Sequence, residues 1–293
     1  MKATLLHNPG AGEGEWSRDR ILEALAGAGL DCDYWSFDDD PLDHQERFDP
    51  DAPILVAGGD GAVARTLKAL SDRSRPIGIL PVGGSNNMAR SLGVFGPIEE
   101  IAAGLVQAQR RSFGLLRADG ACGARRIAEA IGVGALNESM EKDDKTRSTE
   151  EKREHGRSIA REAIAEARPI EIGAWIDGRP IEAELLFIEA LNVPMIGPHL
   201  RLVENPHDAG SVFEVVWLEA DDAPRFLDWL DGPAGQEPAP LSRRTVERLT
   251  LVGAKRARID DDFVDCDGGE VVVTQDPPAL SLLTPFLGAR TDG

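Results

Sequence analysis

Apolar positions recur along the front of the chain in two different rhythms. Continuous apolar runs of strand length fall at 2–8, 32–37, 54–57 and 77–82. Between and after them, 17–28, 62–70 and 87–92 carry apolar residues three and four apart, the spacing of one helical face. Strands that alternate with helices predict a parallel sheet covered by helices on its faces. In such sheets ligands are taken at the carboxyl ends of the strands, where loops lead into helices.

From about residue 111 the rhythm changes. Apolar stretches at 113–117, 127–133, 170–176, 185–191, 212–218, 249–259 and 271–274 follow one another with few helical connections, which predicts a mostly antiparallel β-domain. Two interruptions read as helices, 143–167 and 221–230. The first is expected to be a solvated helix or a mobile excursion, because its early part has almost no apolar face. The segment 231–240 reads as a loop. The division predicted is residues 1–110 for the first domain and 111–293 for the second, with the tail left free to pack back on the first.

Length agrees with two domains: 293 residues exceed the roughly 100–200 of a typical one. Charge narrows the partners. With 51 acidic against 32 basic residues the net charge is −19, which repels a nucleic-acid backbone and gives no general attraction to an anionic membrane. No nucleic acid is expected as a partner, and a lipid or a phosphate has to be met locally. Cys32, Cys122 and Cys266 are odd in number and in no metal-ligand spacing, as for reduced thiols in a cytosol. The opening apolar run is too short for a signal peptide, and no run approaches the roughly 20 residues of a membrane span. A cytoplasmic location follows as the expectation, with any membrane contact peripheral to its inner face.

Candidate chemistry concentrates in three loops rich in small residues: "HNPGAGEGE", "GGDGA" and "PVGGSNNMAR", after the first, third and fourth strand runs. Glycine lets the main chain approach a ligand, and a helix N-terminus presents N–H groups with partial positive charge, so together they suit a phosphate. Asp60 in the middle loop would repel a bare phosphate. It fits either a divalent cation between the two or a hydrogen bond that fixes the loop. The competing reading makes these tight turns, with Asp60 as one helix cap and Asn86 or Asn87 as the next. The two best-known nucleotide signatures are missing: there is no G-x-x-x-x-G-K-[ST], and Gly10 and Gly12 are followed by Glu15 where a third glycine is needed.

The ordered set "NPGAG", "VAGGDGA", "ILPVGGSNNMARSLGV", "EALNVPMIGPHLRLVENPHDAG" and "RIDDDFV" resembles the diacylglycerol kinase catalytic-domain family, which includes bacterial lipid kinases and is similar to sphingosine kinases. The G-G-D-G core is also shared with NAD kinases and phosphofructokinases. The resemblance implies an α/β plus β fold: an N-terminal three-layer α/β nucleotide-binding lobe followed by a C-terminal antiparallel β-sandwich lobe. It implies phosphoryl transfer from ATP with Mg²⁺ to a lipid hydroxyl, diacylglycerol first, met at a membrane surface; a homodimer is compatible with it. Asn8, Gly58, Gly59, Asp60, Gly61, Gly83, Gly84, Ser85 and Asn86 fall on the family's nucleotide-binding positions. Asp208 falls on a turn that helps hold Mg²⁺. Asp260 falls on the general base, and Asp262 on the last position of the same segment, with a supporting role toward Mg²⁺ or that base.

Several positions depart from the family: Ala62 stands where Thr is usual, and Glu13 and Glu15 where relatives tend to have Lys or Arg. Asn137 and Glu138 lie in a stretch that often bears an acid. A kinase for NAD or another small molecule, and a nucleotide- or lipid-binding relative without catalysis, are the alternatives.

Overall fold

A computed structural model describes residues 1–141, 149–204, 210–233 and 237–285. Contacts divide the chain into two units: Met1–Phe113 together with the described residues from Pro278 on, and Gly114–Pro277.

The first unit is built on β1 (Lys2–His7), β2 (Asp31–Ser36), β3 (Ile54–Gly58) and β4 (Pro76–Pro81), parallel and in the order β2-β1-β3-β4. Every residue of β3 is buried, as the uninterrupted apolar run ILVAG requires of a central strand covered on both faces. Between the strands run α1 (Arg18–Gly27), α2 (Asp60–Ala69), α3 (Asn87–Ser91) and α4 (Ile98–Leu105). Ser17 starts α1 by accepting from the Arg20 N–H at 3.4 Å, and Ile21 and Leu25, one turn apart, bury its inner face. The chain leaves β1 toward one edge of the sheet and β3 toward the other. Right-handed crossovers therefore put α1 and α2 on opposite faces. α1 packs with α4 and α2 with α3, giving three layers.

Two further strands complete the sheet. β5 (Gln109–Phe113) forms its edge, and the C-terminal strand β20 (Leu280–Thr284) inserts between the two, parallel to β4 and antiparallel to β5. α4 carries the pattern of a buried helix in Ile98, Ile101, Ala102 and Leu105, all buried, although the sequence reading passed over it.

The second unit opens with β6 (Leu116–Gly120), β7 (Arg125–Ile127), β8 (Ala130–Gly134), α5 (Ala135–Glu141), α6 (Thr149–Glu166), β9 (Gly173–Ile176) and β10 (Arg179–Pro180). It continues through β11 (Leu185–Leu191), β12 (Met195–Ile196), β13 (Leu200–Arg201), β14 (Phe213–Glu219), α7 (Ala223–Asp231) and β15 (Ser242–Val246). β16 (Leu249–Val252), β17 (Arg256–Ile259), β18 (Asp262–Asp265) and β19 (Glu270–Gln275) close it. The order β10-β9-β16-β19-β6-β7 makes one antiparallel sheet and β15-β14-β11-β8-β17-β18 the other. One apolar cluster draws on both, with Leu116, Leu249 and Val273 from the first and Ile131, Ile188 and Val215 from the second, so the sheets form a sandwich. The far face of the second sheet is covered by α5, α6 and α7, through Leu136, Ala160, Ile164 and Phe226.

Two expected single strands turn out to be pairs that change sheets. The stretch 249–259 breaks at Gly253, whose φ of +95° ends β16 in one sheet before β17 begins in the other. The stretch 127–133 likewise divides between β7 and β8. Apolar content runs on through such corners because both strands feed the same core, so composition alone does not mark the change of sheet. The helix expected at 143–167 is α6, and its later part is buried at Ile159, Ala160 and Ile164 rather than solvated throughout. Residues 143–148 of that expectation lie outside the described residues.

Candidate functional site

β1 and β3 are neighbours, yet the chain departs from them in opposite directions. Loops that diverge in this way leave a crevice at the carboxyl edge of a parallel sheet. The first glycine-rich loop begins there with Asn8, whose main-chain N–H donates to the Ala57 carbonyl at 2.9 Å. The Asn8 side chain folds its own loop, since Oδ1 accepts from the Gly10 N–H at 3.2 Å.

The second and third loops are joined main chain to main chain. The Val82 N–H donates to the Gly58 carbonyl at 3.2 Å. One step further, a Cβ placed on Gly83 would lie 2.3 Å from the Gly59 Cα, so the backbones touch where any side chain would hold them apart. Asn86, at a left-handed φ of +54°, closes the third loop through both ends of its amide: Nδ2 donates to the Gly83 carbonyl at 2.7 Å, and Oδ1 accepts from the Gly83 N–H at 3.0 Å. Gly84 and Ser85 complete this turn, half-buried, and Gly61 lies exposed in the first turn of α2.

Asp60 directly follows Gly59 at the start of α2. It stands in the first turn of α2, but its carboxylate reaches across to α3, where Oδ2 accepts from the Asn87 N–H and Oδ1 from the Met88 N–H, both at 2.9 Å. It therefore makes the loop-fixing hydrogen bond and caps a helix other than its own. Neither Gly59, the cap residue of α2, nor Asn86, that of α3, makes a side-chain cap bond. The opening N–H groups of α2 have no intrahelical carbonyl, which leaves a donor-rich helix end beside the joined glycines.

His7, the last residue of β1, is 1% exposed, and its Nδ1 pairs with the Tyr34 hydroxyl at 2.9 Å. Burial pushes its imidazole below the ordinary histidine range.

In the second unit, Asp260 is 3% exposed with a φ of +52°. Its Oδ1 accepts from the main-chain N–H of Glu129 at 2.7 Å, Ala128 at 3.0 Å and Ala130 at 3.4 Å, while its own N–H donates to the Ala130 carbonyl at 2.8 Å. Asp262, two residues on, is exposed. Asp208 lies outside the described residues. Among the described residues no group of three or more His, Cys, Asp or Glu side chains is placed to hold a metal ion.

Sequence reasoning missed a buried ionic cluster next to Asp260. Arg258 of β17 and Glu189 of β11 flank Gly132 of β8 in one row across the sheet. The Arg258 Nη2 donates to the Glu189 Oε2 at 3.2 Å, with the two side chains 3% and 0% exposed. Arg258 Nε donates to the Asn137 Oδ1 at 2.7 Å, and Nη1 donates to the Asp260 carbonyl. Burial pushes the Glu189 carboxyl up, and the Arg258 guanidinium opposes that shift. The signal available was a lone acid inside the apolar run "LLFIEALN", which demands a buried partner.

β17 is paired with β8 only at Arg258 and Ile259. A cavity of about 620 Å³ adjoins this short seam, with Val133, Ile170, Ile172 and Phe263 among its apolar lining and Glu138 and Lys255 among its charged residues.

A parallel α/β domain with glycine-rich loops at its carboxyl edge is thus followed in the chain by a β-sandwich. Residues 2–118 match the family described as the diacylglycerol kinase catalytic domain. A Bacillus anthracis str. Sterne protein assigned as a diacylglycerol kinase superposes with a TM-score of 0.73 at 18% identity, covering 97% of this chain and 95% of that one. An NAD kinase from Archaeoglobus fulgidus in complex with ATP gives a TM-score of 0.54 at 16% identity, covering 97% and 94%. At these identities the likeness is one of fold. No curated protein matches the sequence. Among the described residues no helix is long and apolar enough to cross a membrane.

Proposed function

We propose that the protein is an ATP-dependent kinase that phosphorylates a lipid hydroxyl, with diacylglycerol as the first acceptor to test. The observation that carries this reading is the main-chain contact of Gly59 with Gly83 at the carboxyl edge of β3 and β4, beside the N-terminus of α2. Backbone N–H groups without side chains in front of them suit the oxygens of a polyphosphate. Asn8, residues 58–61 and residues 83–86 would then hold ATP. Mg²⁺ would accompany the nucleotide, held by its phosphates and one or two carboxylates. It would neutralise charge developing on the transferred group.

The turn that carries Asp260 and Asp262 divides its work in this proposal. A proton acceptor needs a lone pair open to the hydroxyl. Asp262, exposed, has that access; Asp260, bound to three main-chain N–H groups, anchors the turn. The family resemblance gives the base to Asp260, and the two assignments separate by mutation.

A lipid acceptor is to be tested ahead of a polar metabolite: the cavity of the second unit sets Val133, Ile170, Ile172 and Phe263, walls that suit an acyl chain, beside the charged Glu138, Glu171, Lys255, Arg256 and Arg258. Incubation with labelled ATP, diacylglycerol in vesicles and, separately, NAD tests the reading. Label in phosphatidate supports it, and label in NAD alone replaces it with the small-molecule kinase.

A further inference from the structure

We infer that the buried Glu189–Arg258 pair, bridged over Gly132, is a device that positions the Asp260 turn, with Arg258 as its positioning residue. The catalytic half of this inference rests on the proposed kinase reading; the structural half does not.

Arg258 spends each part of its guanidinium on a different element. Nη2 reaches β11 through Glu189, Nε reaches α5 through Asn137, and Nη1 reaches its own turn through the Asp260 carbonyl. The reach to β11 crosses a whole strand, since β8 runs between β17 and β11. It is open because residue 132 has no side chain: a Cβ there would lie 2.1 Å from the Glu189 Cδ. A charged pair in the middle of a sheet gains little over an apolar pair of equal volume, so its value has to be sought in what it orders. What it orders is the residue two places on. With its carbonyl held by Arg258, Asp260 keeps its left-handed φ and aims its carboxylate at the N–H groups of Ala128 and Glu129. Those N–H groups lead directly into β8, so the turn is locked at both ends: by a charge across the sheet and by a carboxylate along it. Asp262, the acid with access to an acceptor, inherits its place from this lock.

The test replaces the pair as a pair. Removing one partner strands the other charge, whereas Glu189→Leu with Arg258→Leu removes both charges of the pair together and is expected to keep the melting temperature. Gly132→Ala provides a second probe, because it pushes the carboxylate aside without removing either charge. Hydrogen exchange at the Ala128 and Glu129 amides reads the lock directly and needs no activity. The expected result in both variants is protection at these amides lowered by roughly tenfold or more, with β11 and β14 amides of the double variant unchanged. Phosphoryl transfer is then expected to lose roughly tenfold or more in kcat with the KM for ATP unchanged, the cost of a misplaced group.

Wild-type protection at Ala128 and Glu129 in a folded double variant overturns the inference. Lost protection with full kcat overturns its catalytic half. A wild-type protein that transfers phosphate to no acceptor defeats the kinase reading, and the exchange data still decide the lock.

Discussion

Gly83 and Gly59 meet without side chains between them: a Cβ on Gly83 would stand 2.3 Å from the Gly59 Cα and 2.9 Å from its nitrogen. Both obstacles are main chain at the ends of buried strands, which have no room to retreat. Gly83→Ala is therefore expected to destabilise the protein by about 1–3 kcal/mol through overpacking, and to weaken ATP binding more than that loss explains. Denaturant unfolding and calorimetric titration with MgATP check the two effects separately. Unchanged stability would mean the loops are not in contact.

Asp60 holds the same loops by charge. Asp60→Ala removes the acceptor of the Asn87 and Met88 N–H groups and is expected to cost about 0.5–2 kcal/mol, the range of a lost helix cap. Asp60→Asn keeps one acceptor oxygen and should cost less. Amide exchange at Asn87 and Met88 should rise in the order wild type, Asn, Ala.

The two acids of the second unit should separate by what fails first. Asp260→Asn leaves an amide where a carboxylate accepts three main-chain bonds, and is expected to lose about 1–3 kcal/mol of stability. Asp262→Asn, on an exposed side chain, should change stability by no more than about 0.5 kcal/mol while lowering kcat. Melting curves beside turnover distinguish them. Full turnover in Asp262→Asn returns the base to Asp260.

His7 makes stability depend on pH in a stated direction. Its pKa is lowered in the fold by burial, so between the folded value and the ordinary 6.5 the unfolded chain binds a proton that the folded chain does not. Stability contributed by the neutral ring is present above pH 6.5 and is lost as pH falls from there toward the folded value. His7→Gln should flatten this part of the melting-temperature profile between about pH 5 and pH 7.

Truncation before Leu280 removes β20 from the middle of a sheet. Leu280 and Leu282 are 2% and 0% exposed, and each buried leucine contributes about 1.5–3 kcal/mol. Their loss, with the unpaired edges left on β4 and β5, is comparable to the roughly 5–15 kcal/mol that holds a domain together. The truncated chain should be insoluble or lack a cooperative transition.

The alternation of β1, α1 and β2 and the buried run of β3 were legible because their periodicities are local. So were the three glycine-rich loops, since each follows a strand run directly. The loss of register came at the corners of the sandwich, where 249–259 and 127–133 read as single strands although each changes sheet. Arg258 and Glu189 were invisible as a pair, because they are 69 residues apart and the gap that lets them meet is a glycine on a third strand.

The order of residues by itself determined the parallel α/β front, the antiparallel rear and the small-residue loops between strand and helix, because side-chain period and backbone freedom act over a few neighbours. Only the tertiary structure decided that the Asp60 carboxylate caps α3, that the tail strand closes the first sheet, and that Asp260 is held from across the second. Those outcomes depend on which main-chain donors and which strand edges come within 3 Å or so of one another. That is a property of how distant segments pack, and no local pattern encodes it.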